Sequence, residues 1–165
     1  MRTIVSILTI LVLSTMSIGM SGNELYHHIP SEEPVDYEGR IREVLKKEGI
    51  NDYVTELLVA QSKHESGNYR NSLTPYNNVF ARHYSKKDTF AISAGAPGEG
   101  HRRFAKYPSV EYATLSQLDY LRRKGYTFKW TSPYQFALEL KKKHYYEADI
   151  MVYTNALARY MKKKQ

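Results

Sequence analysis

Among the side chains of this sequence, Glu65 is the one whose type and position suit proton-transfer chemistry. Val54, Leu57, Leu58, Gln61 and Glu65 recur three and four residues apart. A helix carrying them puts Glu65 on its apolar face, in the last turn. Ser66 and Gly67 follow and stop the helix, because glycine accepts a positive φ. A carboxyl at that place is pushed toward its neutral form by partial burial and by the negative end of the helix dipole. A carboxylic acid that keeps its proton near neutral pH is what a general acid requires.

Other chemistries fit poorly. His64-Glu65 begins a His-Glu-x-x-His zinc motif, but Asn68 stands where the second histidine is needed. The run Gly95 to Gly100 is glycine-rich, yet no Gly-Lys-Ser/Thr follows it, which argues against a phosphate cradle. No nucleophile elbow is present. His27-His28 is an adjacent pair with no further spaced ligand. With no cysteine, disulfides, thiol catalysis and thiolate metal sites are excluded. Neither a metal nor a cofactor is expected, since proton transfer by a carboxylic acid needs none.

The elements that must position Glu65 are mostly helices. Residues 1–22 read as a targeting segment: Arg2, an apolar run from Ile4 to Met20, then Ser21-Gly22. The run suits a cleaved signal peptide, with an uncleaved N-terminal anchor as the alternative. Residues 23–35, with two prolines, read as a linker. The folded domain is expected over 36–165. A first helix begins at Asp36 with Ile41, Val44 and Leu45 on one face and ends at Gly49; the Glu65 helix follows from Tyr53. Residues 66–108 are rich in turn formers, and Val79-Phe80-Ala81 with Thr89 to Ile92 predict a small hairpin or flap. Ser109 opens a helix to Lys124, and Ser132-Pro133-Tyr134-Gln135 reads as a capping box for another, to about Lys143. A last helix covers about 148–161.

The chain has 165 residues, enough for one domain with a sizeable core, and a net charge of +7 that favours polyanionic partners. No groove-reading motif is present, and the export signal argues against nucleic acid. Fifteen tyrosines against one tryptophan suit an amphipathic groove that grips polar rings.

Four motifs in order carry a resemblance. They are Ala60-Gln61-Ser62-Lys63-His64-Glu65-Ser66-Gly67; Asn77-Asn78-Val79-Phe80; Phe104-Ala105-Lys106-Tyr107 with Ser109; and Tyr146-Glu147-Ala148-Asp149 with Tyr153 and Leu157. Together they resemble the N-acetylglucosaminidase family of lysozyme-like peptidoglycan hydrolases, whose members include mannosyl-glycoprotein endo-beta-N-acetylglucosaminidase-like domains. The resemblance spans roughly residues 40–161. It implies a mainly α, lysozyme-like domain with a small β-hairpin or irregular flap, and Glu65 as the acid that protonates the glycosidic oxygen. It implies that Asn78 and Phe80 shape the cleft floor, that Tyr107 lies near the reaction centre and that Tyr146 supports the cleft. Asn68-Tyr69 stands where relatives place an aromatic and a glycine, a feature shared with lytic transglycosylases, and Ala81-Arg82 stands where a glycine is usual.

The sequence leaves the second carboxylate open. Inverting glycosidases hold a base at about 6.5–9.5 Å from the acid, and retaining ones a nucleophile at about 5–5.5 Å. Asp88 and Glu99 both lie in the hairpin region, with Glu99 preferred for its position just before Phe104; a substrate N-acetyl group is the third option. The expected protein is thus a secreted or periplasmic, monomeric glycosidase of peptidoglycan strands with no stable membrane span once the signal is removed. A lytic transglycosylase and a catalytically inactive wall-binding module are the alternatives.

Overall fold

The computed structural model describes residues 35–98 and 102–162. The expected signal peptide, all but Val35 of the linker, and Glu99 lie outside the described residues. In order, the elements are α1 (Tyr37–Lys47), α2 (Asp52–Glu65), a 3-10 turn (Thr74–Tyr76), β1 (Ser93–Pro97), β2 (Arg103–Lys106), α3 (Val110–Arg123), α4 (Pro133–Lys142) and α5 (Ile150–Lys162). Five helices with one small antiparallel hairpin make the domain mainly α, as the resemblance implies.

Local chemistry sets most helix starts. Asp36 accepts a bond from the Gly39 N–H at 2.8 Å, and Asn51 accepts one from the Val54 N–H at 3.0 Å. Ser132 accepts from the Gln135 N–H at 3.1 Å, while the Gln135 side chain reaches back to Thr131 N–H at 2.9 Å, one residue earlier than in a reciprocal capping box. Ser109 occupies the cap position of α3 but makes no capping bond; its hydroxyl serves the Glu111 carboxylate instead.

The helix that carries Glu65 is the centre of the core. Its sequence reads as a one-sided stripe, yet Leu57, Leu58, Val59, Ala60, Gln61 and Ser62 are all buried. Such burial on every side follows from its neighbours, α1 on one flank and α5 on another, with α4 packed on α5 and α3 on α1. Truncating Leu57 or Leu58 to alanine there costs about 2–5 kcal/mol. Arg42 of α1 bridges to Glu56 of α2 at 2.9 Å and to Glu38 at 2.9 Å, and Lys63 of α2 returns to Glu38, so the two helices are also tied by charge.

The hairpin lies later in the chain than the β-prone residues suggest. Ser93 pairs with Lys106, Ala94 with Ala105 and Pro97 with Arg103, with an irregularity between Ala94 and Pro97. Ser-Ala-Gly-Ala-Pro has weak intrinsic strand preference. Its pairing is reinforced by the Arg103 guanidinium, which donates twice to the Gly95 carbonyl, at 2.6 and 3.1 Å. Gly95 is required by packing, because a Cβ there would meet the Tyr76 ring at 2.9 Å. Val79 and Phe80 are buried core residues in a turn, and His83 bridges to Phe104 at the edge of the hairpin.

Candidate functional site

Glu65 closes α2, and the backbone beyond it turns sharply. Gly67, Asn68 and Tyr69 are all left-handed, with φ of 58°, 59° and 61°. For a tyrosine this conformation is strained and must be held by its surroundings. Three contacts hold it: the Tyr69 hydroxyl shares a 2.8 Å bond with Ser62 Oγ, the Tyr69 N–H donates to Ser66 Oγ at 2.9 Å, and the ring stacks on Tyr37 at 4.8 Å. Asn71 donates to the Glu65 carbonyl at 2.9 Å. The end of the helix is therefore fixed by side chains on both sides of the carboxyl.

The Glu65 side chain is partly buried and opens on a cleft of about 740 Å³. One wall comes from Ala81, Arg82 and His83, another from Arg102 and Phe104, and a third from His144, Tyr145, Tyr146 and Glu147 between α4 and α5, with Tyr120 of α3 behind. The Tyr153 hydroxyl of α5 donates to Glu65 Oε1 at 2.7 Å. Burial pushes the Glu65 carboxyl up from 4.5 to about 7, against the opposing pull of the Tyr153 bond. Because Oε1 is taken as an acceptor, the acidic proton falls on Oε2.

Tyr153 is itself held in place. Tyr146 stacks on it at 4.0 Å with planes 8° apart, and the His64 ring meets it edge-on at 4.9 Å. Behind it runs a buried polar chain: Gln117 donates to Gln61 at 3.1 Å, and Gln61 donates to the Tyr153 oxygen at 3.4 Å. Tyr145 donates to the Phe80 carbonyl at 3.1 Å. Burial, with the charge of Glu65, raises both Tyr145 and Tyr153 well above the usual phenol range. Both stay protonated donors wherever Glu65 titrates.

The residues singled out in the sequence are distributed unequally. Glu65 and Tyr146 line the cleft together. Phe80 is core, and it meets the site through its carbonyl. Asn78 is fully buried and braces the turn that carries Arg82: it accepts from the Arg82 N–H at 2.8 Å and donates to the carbonyls of Arg82 at 2.8 Å and Ala105 at 2.9 Å. That brace holds Ala81 left-handed at φ 49°, a conformation that favours glycine.

Tyr107 lies in the core rather than on the cleft wall, 1% exposed, with its hydroxyl 2.9 Å from both Asp88 Oδ2 and Ser116 Oγ. Asp88 is buried and also accepts from Ser116 at 2.6 Å and from the Phe90 N–H at 3.1 Å, so it braces the loop before β1 and does not face the Glu65 cleft. Among the described residues, Glu65 and Glu147 are the two carboxylates that line the cleft.

Sequence reasoning gave no role to Tyr145, Tyr153, Arg82, Gln117 or Glu147. Tyr153 and Glu147 stand in the fourth motif, and Arg82 in the pair that replaces the usual glycine, but nothing in the spacing joins any of them to Glu65. No group of three or more metal-ligating side chains occurs among the described residues, and no described helix is long and apolar enough to cross a membrane.

No curated protein sequence matches the chain. The structure of a type VI secretion system effector–immunity complex from Pseudomonas protegens is similar in fold, with a TM-score of 0.58 at 19% identity over 76% of this chain and 91% of that one. The glucosaminidase family, described as mannosyl-glycoprotein endo-beta-N-acetylglucosaminidase, matches residues 39–165. That stretch runs from the first turns of α1 to the end of the chain and takes in Glu65 and the whole wall of its cleft, so the chain belongs to the glucosaminidase family, a family of glycosidases.

Proposed function

We propose that the protein is an exported glycoside hydrolase of peptidoglycan, cutting β-1,4 bonds of the N-acetylglucosamine–N-acetylmuramic acid backbone with Glu65 as general acid. The observation that carries this reading is the Glu65 carboxyl, raised to about 7 by burial and oriented by Tyr153, at the floor of a tyrosine-lined cleft. The Oε2 proton passes to the glycosidic oxygen as the bond from the anomeric carbon breaks. Positive charge then builds on the sugar ring, beside a carboxylate that has just become anionic. Water adds to the anomeric carbon and loses its proton to a base. Among the described residues Glu147 is the further carboxylate on the cleft wall for that step; Glu99, the sequence candidate, lies outside the described residues, and the substrate N-acetyl group is the internal alternative. The apolar run at residues 4–20 supports export to the compartment that holds this polymer.

A second reading, a lytic transglycosylase, draws on the commitment of Asp88 to Tyr107 and Ser116, since attack by a substrate hydroxyl to form a 1,6-anhydro ring asks less of a second carboxylate. Mass spectrometry of digested peptidoglycan separates the two. The hydrolase yields reducing sugar ends, and the transglycosylase yields 1,6-anhydro ends. Undigested wall under both wild-type and Glu65→Gln protein would overturn the enzymatic reading and leave a binding module.

A further inference from the structure

A second cavity, of about 400 Å³, adjoins the cleft and shares Arg82 and Tyr120 with it; Ser85, Asp88, Arg123 and Lys124 complete its lining. Its charges are unbalanced. Asp88 is committed to Tyr107, Ser116 and the Phe90 N–H, and Arg123 is paired with Asp119 at 2.7 Å. No ion pair among the described residues engages Arg82 or Lys124. The Arg82 guanidinium lies over the Tyr120 ring, 3.7 Å from its centroid, with the Lys124 ammonium at 5.9 Å from the same ring. Arg82 Nε is buried without an acceptor among the described residues.

An aromatic face holds a guanidinium without neutralising it, so the charge and the fork of N–H donors stay available to a planar anion. The aim of Arg82 is set by Asn78, which bonds its backbone on both sides at 2.8 Å. Tyr120 in turn packs on Tyr145 at 5.8 Å, and Tyr145 lines the cleft with Glu65. The two cavities therefore meet at the Arg82–Tyr120 wall.

Resting on the hydrolase reading above, we propose that Arg82 and Lys124, mounted on Tyr120, form a carboxylate-binding subsite that selects glycans with an acidic substituent over neutral ones. In peptidoglycan such a carboxylate has two sources, the stem peptide and the free lactyl group left when the peptide is removed. The test is titration calorimetry with the Glu65→Gln chain, which holds strands uncleaved. Three ligands are compared: a peptide-bearing tetrasaccharide, the same strand after amidase treatment, and neutral chitotetraose.

The acidic strands should bind about tenfold or more tightly than chitotetraose, and adding Arg82→Gln should reduce that preference about tenfold. Lys124→Gln, at an exposed position, should reduce it about threefold and carries the test if the Arg82 variant does not fold. The strand whose binding responds identifies the source of the carboxylate. An unchanged preference in both variants overturns the subsite, while wall cleavage by the wild-type protein would leave the hydrolase reading standing. An Arg82-dependent preference in a protein that cleaves no wall would do the reverse.

Discussion

Glu65→Gln should remove activity and add stability, and the stability gain should depend on pH. The unfolded chain holds this carboxyl at about 4.5, and the fold raises it to about 7. Between those values the folded protein keeps a proton that the unfolded chain has released, so wild-type stability falls as pH rises from about 4.5 and levels off above about 7. The difference between 4.5 and about 7 corresponds to about 3 kcal/mol, and the opening of Glu65 to the cleft makes that an upper figure. Glutamine occupies the same volume, still accepts from Tyr153 and never ionises. The variant should therefore match wild type at pH 4 and exceed it by up to about 3 kcal/mol at pH 8. That gain corresponds to a rise in melting temperature on the order of 10 °C. Thermal and urea unfolding of both proteins at pH 4, 6 and 8 reads this directly, and wall hydrolysis at pH 6 should fall by about 10²–10⁴-fold in the same samples. A difference in stability that does not change with pH would refute the argument that burial raises Glu65.

Three further outcomes follow from the site and its supports. Tyr153→Phe removes the bond that holds the Glu65 carboxyl down, so the alkaline limb of the pH–rate profile should move to higher pH, and the loss of orientation should lower kcat by about tenfold. Asp88→Asn places amide hydrogens against the hydroxyls of Tyr107 and Ser116; denaturant melts should show a loss of about 2–3 kcal/mol. Ala81→Gly relieves the left-handed backbone and should be neutral or stabilising by up to about 1 kcal/mol, while Ala81→Val should cost about 1–2 kcal/mol, both read from melting temperatures.

Local chemistry was legible in the sequence where it governs a single element. Asp36 opens α1, Ser132 caps α4, and the three-and-four spacing up to Glu65 marks α2 and its end. The hairpin was not legible in detail. Val79-Phe80-Ala81 looks like a strand because β-branched and aromatic residues also fill cores, whereas the true β1 is built from small residues held by Arg103. The full burial of α2 depends on α1 and α5 packed against it and leaves no periodic trace.

Of the residues named from the sequence, Glu65 and Tyr146 line the cleft. Tyr153 lies 88 positions further along the chain and reaches Glu65 only because α5 packs on α2. Tyr107 and Asp88 match the residue types expected near a reaction centre, but their side chains satisfy each other in the core. Residue type and order do not reveal which way a buried polar side chain turns.

On the proposed mechanism Glu65 carries a proton at the pH where cleavage runs. Carbon-13 NMR titration of the Glu65 carboxyl in the free protein, with Glu65→Gln to assign the signal, reads that proton beside the pH dependence of kcat/KM on peptidoglycan. Glu65 should titrate at about 7, and the alkaline limb of kcat/KM should fall at the same value. A Glu65 carboxyl that titrates near 4.5, with activity persisting well above that pH, would contradict it.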